Sequence, residues 1–491
     1  MISEPREVIR SVATGVPGLD TVLGGGLPEF SLNVIAGGPG VGKTTLAQQI
    51  SFAAATPERP ALYFTIMGEP AIKLLRYQGQ FSFFDAQRVG TDVQFVNLSA
   101  EAMKRDLDAL LDRIQAEIEQ AQPRIIVVDS FRTVLGPSEP RDGGMGIDQF
   151  VQKLALQLTS WEVTSFLIGE YAAEEQRYPV FTVADGVFWL TQETNRNSVV
   201  RKLQVLKVRG RAHMPGLHTF RMTNAGVQVF PRIPEQQHAR KATSTKRHTT
   251  GIPGLDELLD GGIPIGDAVM VAGPAGSGKT TFATQFIAEG IRKNEPVVVA
   301  VFEEYPEEYL ARARARSQEL LGSAEQGELR LIYLRPLDLS VDEMLSEILE
   351  AVRAIGAERV VIDSLSGFEI ALAPSFREDF RESLYRLIGA LTATGVTVFM
   401  TAETAGESSF GWVTTERISF ITDDVIIQRA IEVDGELRKV LAVLKMRGSA
   451  HSKELHAYEI TETGAAVLGR VPAMEPLLPA AASNDLPSPA A

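Results

Sequence analysis

The sequence predicts an α/β fold built twice: two tandem phosphate-loop domains, each a mostly parallel twisted sheet with helices on both faces. Three observations carry this. The chain repeats itself at a near-constant spacing. Each copy alternates short β-branched apolar runs with longer helical stretches. A glycine-rich motif follows the first strand of each copy and marks the edge of the sheet where chemistry is expected.

The repeat is read from five landmarks. Thr14-Gly15-Val16-Pro17-Gly18-Leu19-Asp20 returns as Thr250-Gly251-Ile252-Pro253-Gly254-Leu255-Asp256, and Gly25-Gly26-Leu27-Pro28 returns as Gly261-Gly262-Ile263-Pro264. Lys43-Thr44-Thr45 matches Lys279-Thr280-Thr281, the apolar run ending at Asp129 matches that ending at Asp363, and Leu206-Lys207-Val208-Arg209-Gly210 matches Leu444-Lys445-Met446-Arg447-Gly448. The division is therefore 1–235, a linker at 236–248, 249–471, and a Pro/Ala/Ser-rich tail at 472–491 that reads as disordered. The linker holds the basic residues Arg240, Lys241, Lys246 and Arg247, which read as solvated.

In the second copy, strands are expected at 268–271, 297–301, 331–334, 360–362 and 396–400. Helices are expected at 280–293, 306–322, 342–356 and 376–395. After Met400 the pattern turns to hairpin strands near 424–427 and 439–444.

The 491-residue chain is 44% hydrophobic and 22% charged, which is globular composition. Its net charge of −14 repels nucleic acid and anionic membranes in the absence of a local basic patch. It has no Cys, which excludes disulfides, thiolate metal sites and Cys nucleophiles. Residues 1–10 are polar and charged, and no apolar run is long enough to span a bilayer, so a soluble cytoplasmic protein is expected.

The glycine-rich motif is Gly-x-x-x-x-Gly-Lys-Thr. It occurs as Gly37-Gly38-Pro39-Gly40-Val41-Gly42-Lys43-Thr44 and as Gly273-Pro274-Ala275-Gly276-Ser277-Gly278-Lys279-Thr280. Gly38, Gly40 and Gly42 in one copy, and Pro274, Gly276, Ser277 and Gly278 in the other, form loops whose N–H groups turn toward phosphate oxygens. A helix then begins and adds its positive end, with Thr45 and Thr281 in its first turn. Lys43 and Lys279 reach the β/γ-phosphates, and the Thr44 and Thr280 hydroxyls ligate Mg²⁺. Asp129 and Asp363, each ending an apolar strand, hold that Mg²⁺ through its water shell. ATP and Mg²⁺ are the expected ligands.

Hydrolysis needs a carboxylate to activate water. The second copy offers Glu303 and Glu304 in Phe302-Glu303-Glu304-Tyr305-Pro306, just after its second strand. The first copy reads Phe64-Thr65-Ile66-Met67-Gly68-Glu69-Pro70. Aligned on the proline, Met67 and Gly68 replace the pair, and Glu69 is one position late, where a one-residue slip redirects a side chain. The first copy is therefore expected to bind ATP and hydrolyse it slowly or not at all.

Tandem phosphate-loop domains, the Thr-Gly-[Val/Ile]-Pro-Gly-Leu-Asp segment, the paired Glu and the doubled Lys-[Val/Met]-Arg-Gly-x-x-His resemble the KaiC family, circadian clock ATPases and autokinases, over about 14–469. The resemblance implies RecA-like domains in a two-tiered, ATP-dependent homohexamer with ATP between subunits. It implies that Lys207 and Arg209, and Lys445 and Arg447, reach a neighbour's γ-phosphate. It implies a regulatory partner of the KaiB type, although the family's long C-terminal tail is largely absent. Clock members phosphorylate an adjacent Ser-Thr pair. Here Ser419 is kept, Phe420 replaces the Thr, and Thr414 matches a further family Thr, so Ser419 is the candidate phosphosite. Two other readings use the same core: a RecA-like recombination or helicase module on DNA, and a scaffold keeping ATP as structural glue. The acidic net charge weighs against the first, and Glu303 and Glu304 against the second.

Overall fold

The structure, a computed structural model, describes residues 9–66, 76–104, 106–131, 147–171, 179–195, 198–232, 246–314, 327–334, 339–377, 380–404, 421–433 and 436–471. The chain divides into two units, Met1–Ile233 and Pro234–Ala491. Each unit contains a sheet of nine described strands. In the first, the order from one edge is Val93–Asn97, Ala61–Thr65, Ile125–Asp129, Thr164–Glu170, Leu32–Gly37, Gly186–Asn195, Ser198–Val208, Leu217–Thr223 and Gly226–Phe230. In the second it is Leu329–Tyr333, Val297–Val301, Arg359–Asp363, Thr397–Glu403, Ala268–Gly273, Asp424–Val433, Glu436–Met446, His456–Thr461 and Gly464–Arg470. The first six strands of each order pair in parallel and the last three extend the sheet antiparallel. Both sheets are therefore mixed and mostly parallel, as the sequence predicts.

Parallel strands read as continuous apolar runs because helices cover both of their faces. In Leu32–Gly37, Ile35 packs with Tyr63, Val127 and Phe52 on one side, while Val34 and Ala36 pack with Leu110, Phe150 and Leu154 on the other. In the second unit Val269 and Val271 pack against Phe282 and Phe286 of the helix Lys279–Arg292.

Several boundaries differ from the sequence reading. Thr397–Glu403 continues past Met400 because its parallel pairing with the glycine-loop strand runs to Gly273 opposite Glu403, and Thr401 and Glu403 hide that extension from an apolar pattern. The hairpin strands are longer than expected, Asp424–Val433 with Glu436–Met446, since Gln428, Arg429 and Glu432 interrupt their hydrophobicity. The stretch read as one helix at 376–395 overlaps two described helices, Pro374–Arg377 and Phe380–Ala393. Arg247 and His248, placed by sequence in the linker, pair with Ile263–Pro264. Arg247 also donates to the Leu259 and Gly262 carbonyls, so it is part of the second unit rather than a solvated linker cation. The linker at 236–245 and the tail at 472–491 lie outside the described residues.

The helix Val341–Ile355 shows how local signals set its ends. Ser340 and Glu343 form a reciprocal capping box, and Gly356 closes it with φ of 62°. At the edge of the sheet away from the glycine loop, the fully buried Arg359 donates to Glu295 Oε2 (2.8 Å from Nε) and to the Thr249 and Phe286 carbonyls (3.1 and 3.0 Å). Its guanidinium lies 4.3 Å from the Phe286 ring centre. Gly290 leaves room for it: a Cβ there would lie 2.8 Å from Arg359 Cδ. Burial in this cluster, with the nearby Arg359 charge, pushes the His248 imidazole below its usual pKa.

Candidate active site

Each glycine loop joins a buried central strand to a helix with no side-chain cap. Gly42 and Gly278 occupy the N-cap positions with φ of 104° and 101°, a left-handed conformation that only glycine adopts freely. With no capping side chain, the first-turn N–H groups of Lys43–Ala54 and Lys279–Arg292 remain to be satisfied by a ligand, and an anion is favoured there. Gly40 and Gly276, with φ of 72° and 73°, have nothing within 4 Å of where a Cβ would sit. Thr45 and Thr281, in the first turns of the helices, are buried.

The loop lysines turn inward. Lys43 Nζ donates to the Gly37 and Gly38 carbonyls at 3.0 and 2.6 Å. Lys279 Nζ donates to the Gly273 and Pro274 carbonyls at 3.0 and 2.9 Å. Burial lowers both ammonium pKa values. Nearby carboxylates oppose this: Glu170 and Asp129 around Lys43, and Glu403, Asp363 and Glu303 around Lys279.

The strand-end aspartates meet the loop threonines. Thr44 Oγ1 donates to Asp129 Oδ2 at 2.7 Å, and Thr280 Oγ1 lies 3.5 Å from Asp363 Oδ1. Each carboxylate also accepts from a hydroxyl that the sequence reading missed. In the first unit it is Tyr63 (2.7 Å), whose phenol burial raises well above its usual pKa. In the second it is Thr401 (2.5 Å). A hydroxyl and a carboxylate beside a phosphate loop form an all-oxygen donor set, which suits a hard cation such as Mg²⁺.

Glu170 and Glu403 were also missed. They end the strands beside the loop strands, opposite Gly37 and Gly273. A repeat comparison of the strand ends would have found them, because each follows a matching apolar run.

In the second unit Glu303 Oε1 accepts from Ser364 Oγ at 3.1 Å, next to Asp363. Glu304 pairs with Arg312 of the following helix, Pro306–Arg314. Burial is the main cause of the raised Glu304 pKa, Arg312 opposes it, and Asp363, Glu308 and Glu303 add to it. A general base works only when ionised, so if Glu304 is the base of a hydrolysis, activity would be lost as pH falls through its raised pKa. Arg312→Gln removes the lowering influence and is expected to move the acid limb of the phosphate-release profile to higher pH. An unmoved limb would assign the base to Glu303. Met67, Gly68 and Glu69 of the first unit, and Thr414, Ser419 and Phe420 of the second, lie outside the described residues.

The basic pairs lie at the opposite end of their own loop strands. Lys207 donates to the Ala184 and Thr182 carbonyls, and Arg209 bonds Asp185 at 3.1 Å. Asp185 in turn accepts from the Leu32 N–H at 3.0 Å. The second unit repeats this: Lys445 donates to the Thr422 carbonyl, Arg447 reaches Asp423 at 3.3 Å, and Asp423 accepts from the Ala268 N–H at 3.1 Å. Leu32 and Ala268 stand five residues from the start of their loops, about 17 Å of strand. The four cations are therefore brought together in pairs, but not with the phosphate loop of their own unit. Burial lowers the Lys207 and Lys445 pKa values, with the adjacent Arg209 and Arg447 charges adding to the effect.

His218 recurs as His456 in the second copy, and both ring nitrogens of His218 are engaged within the first unit. His218 uses one ring nitrogen toward the Met214 carbonyl and the other to accept the Arg232 N–H. No described helix is long and apolar enough to cross a membrane.

Comparison with known proteins places these features in a family. The sequence model of the KaiC ATPase matches residues 12–233 and 248–471. The circadian clock oscillator protein KaiC 1 of Synechocystis sp. is 27% identical over 475 residues, covering 94% of this chain and 89% of that protein. The circadian clock oscillator protein KaiC of Rippkaea orientalis is 28% identical over 471 residues, covering 93% of this chain and 88% of its own.

Proposed function

The chain belongs to the KaiC ATPase family, and from that premise we propose that it binds Mg-ATP in both units and hydrolyses it mainly in the second. One observation carries the asymmetry. Glu303 and Glu304 stand beside Asp363 and Lys279 in the second unit, while the aligned positions of the first are Met67 and Gly68.

Each step falls to residues of this chain. The amides of the loop at 273–278 and the Lys279 ammonium bind and orient the phosphates. In exchange for phosphate oxygens, Lys279 gives up the Gly273 and Pro274 carbonyls it now holds. Thr280 and Asp363 would hold Mg²⁺, which neutralises charge on the phosphates, and Thr401 keeps the Asp363 carboxylate in place. Glu303 or Glu304 accepts the proton of the attacking water, and Ser364 orients Glu303.

Lys445 and Arg447 stabilise the transition state of a neighbouring subunit. Their distance from their own loop, together with the family resemblance, supports a ring with ATP between subunits. The first unit, with Lys207 and Arg209 as its matching pair, is the nucleotide-dependent assembly platform. The relatives are named as circadian clock oscillator proteins, and a cytoplasmic signalling or timing role with a regulatory protein partner is proposed here on that basis. Single-site autophosphorylation, in which the Ser419 hydroxyl takes the γ-phosphoryl group and releases ADP and a proton, completes the reading. Phosphopeptide mapping after Mg-ATP incubation with no modified Ser419 would remove that last part.

Light scattering with and without Mg-ATP, coupled to phosphate release, tests the whole. A ring of six copies that turns over ATP is expected. A monomer at saturating nucleotide, or no phosphate release, would overturn the reading.

A further inference from the structure

The two phosphate loops rest on different foundations. Atoms of Val41 and Leu190 crowd the Cβ position of Gly37, and atoms of Ser277 and Gln428 crowd that of Gly273. Two strands further along the sheet lie Phe220 in the first unit and, at the matching register, Tyr458 in the second. All six residues are buried. Three apolar side chains under one loop thus correspond to three polar ones under the other. Burying polar groups is costly unless they bond, and Ser277 Oγ and the Gln428 amide make no hydrogen bond among the described residues.

The Tyr458 hydroxyl does bond. It donates to the Ser277 carbonyl oxygen at 2.6 Å. Its ring is held edge-on against Phe282 of the loop helix, with centres 5.5 Å apart and planes at 79°. Lys439, on the strand next to it, donates to the Gly276 carbonyl. Two successive loop peptides are therefore gripped from the side of the antiparallel extension. A trans peptide is planar, so its N–H points opposite to its C=O. Turning the Ser277 carbonyl down onto Tyr458 turns the Gly278 N–H up, away from the core and toward the open side of the loop.

We propose that Tyr458 is a positioning residue of the second unit. Its hydroxyl fixes the Ser277–Gly278 peptide so that the Gly278 N–H is pre-aimed at a nucleotide phosphate. Phe220 has no hydroxyl with which to do this in the first unit. The inference rests on the reading of the second loop as an ATP site. Burial raises the Tyr458 pKa, so the group stays a protonated donor through the neutral range. The N–H it aims meets phosphate equally in the bound ground state and the transition state. Such uniform binding sets KM and leaves kcat alone.

The test is Tyr458→Phe in the full-length chain, which keeps the ring against Phe282 and removes only the hydroxyl. Steady-state phosphate release gives kcat and KM. Titration of the Tyr458→Phe and parent chains with a fluorescent ADP analogue, to which the unchanged first loop contributes alike in both, gives affinity without relying on turnover. Loss of one hydrogen bond's ordering predicts roughly 3–10-fold higher KM and Kd, with kcat changed by less than about 2-fold. A KM and Kd equal to those of the parent chain, or a fall in kcat at constant KM, would overturn the role of Tyr458. A parent chain that itself neither hydrolyses ATP nor binds the analogue would overturn the reading of the site, and the inference with it.

Discussion

A full-length chain carrying Glu303→Gln and Glu304→Gln is expected to release phosphate at least about 100-fold more slowly than the parent, the usual worth of a general base. Its nucleotide affinity is expected to change little, because the glycine loop, Lys279, Thr280 and Asp363 are untouched. Glutamine keeps the shape and hydrogen-bonding reach of glutamate but cannot accept the water proton at neutral pH. Ser364 can still donate to the amide oxygen that the substitution leaves at position 303, so the local packing around Asp363 has no reason to change. The result discriminates between units. If the first unit hydrolysed ATP as fast as the second, about half of the turnover would survive, and the assignment of chemistry to Glu303 and Glu304 would fall. The two single substitutions then separate the acids. Glu303 faces Ser364 and Lys279, whereas Glu304 is restrained by Arg312.

The second large effect is expected from mixing. Arg447→Ala alone, and Lys279→Ala alone, should each lose about 10³-fold or more in turnover, the range seen when a transition-state cation is withdrawn. Chains of the two kinds, mixed in equal amounts and reassembled with Mg-ATP, should recover activity. An interface works when an intact loop from one chain meets an intact Arg447 from the next, which random mixing supplies at about a quarter of interfaces in a head-to-tail ring. The geometry makes the outcome sharp. Arg447 is tied to Asp423, and Asp423 to the Ala268 N–H, at the far end of the strand that leads into the loop. A cation held there lies far from its own loop, so the role proposed for it requires the loop of another copy. Recovery no greater than the sum of the two single variants would show that Arg447 acts within its own chain or not at all.

The parts of the site that sequence could reach are those fixed by short stretches of backbone. A phosphate cradle needs left-handed residues at set spacings, so Gly42 and Gly278 identify themselves. The lysine, the threonine and the helix that follows are adjacent in the chain. Glu303 and Glu304 stand out in the sequence because they lie just past an apolar strand, and the repeat shows at once that Met67 and Gly68 differ. The groups that steady the site were hidden. Tyr63 reaches Asp129 across 66 residues, Thr401 reaches Asp363 across 38, and Tyr458 reaches Ser277 across 181. Glu170 and Glu403 look like ordinary strand ends until the strand order sets them opposite the first glycine of each loop. Arg247 illustrates the reverse error: its basic neighbours suggested a solvated linker, yet its guanidinium caps carbonyls of the second unit.

By itself, then, the sequence determined that this protein is a doubled α/β chain with two phosphate loops, two strand-end aspartates and a pair of glutamates in only one copy. Each of those is a local demand of backbone conformation or residue chemistry. Only the tertiary structure decided which hydroxyl holds each aspartate, which acid faces each lysine and what lies beneath each loop. Strand order brings residues far apart in sequence to neighbouring positions on one sheet edge, and hydrogen bonds act only across the few ångströms that this order creates.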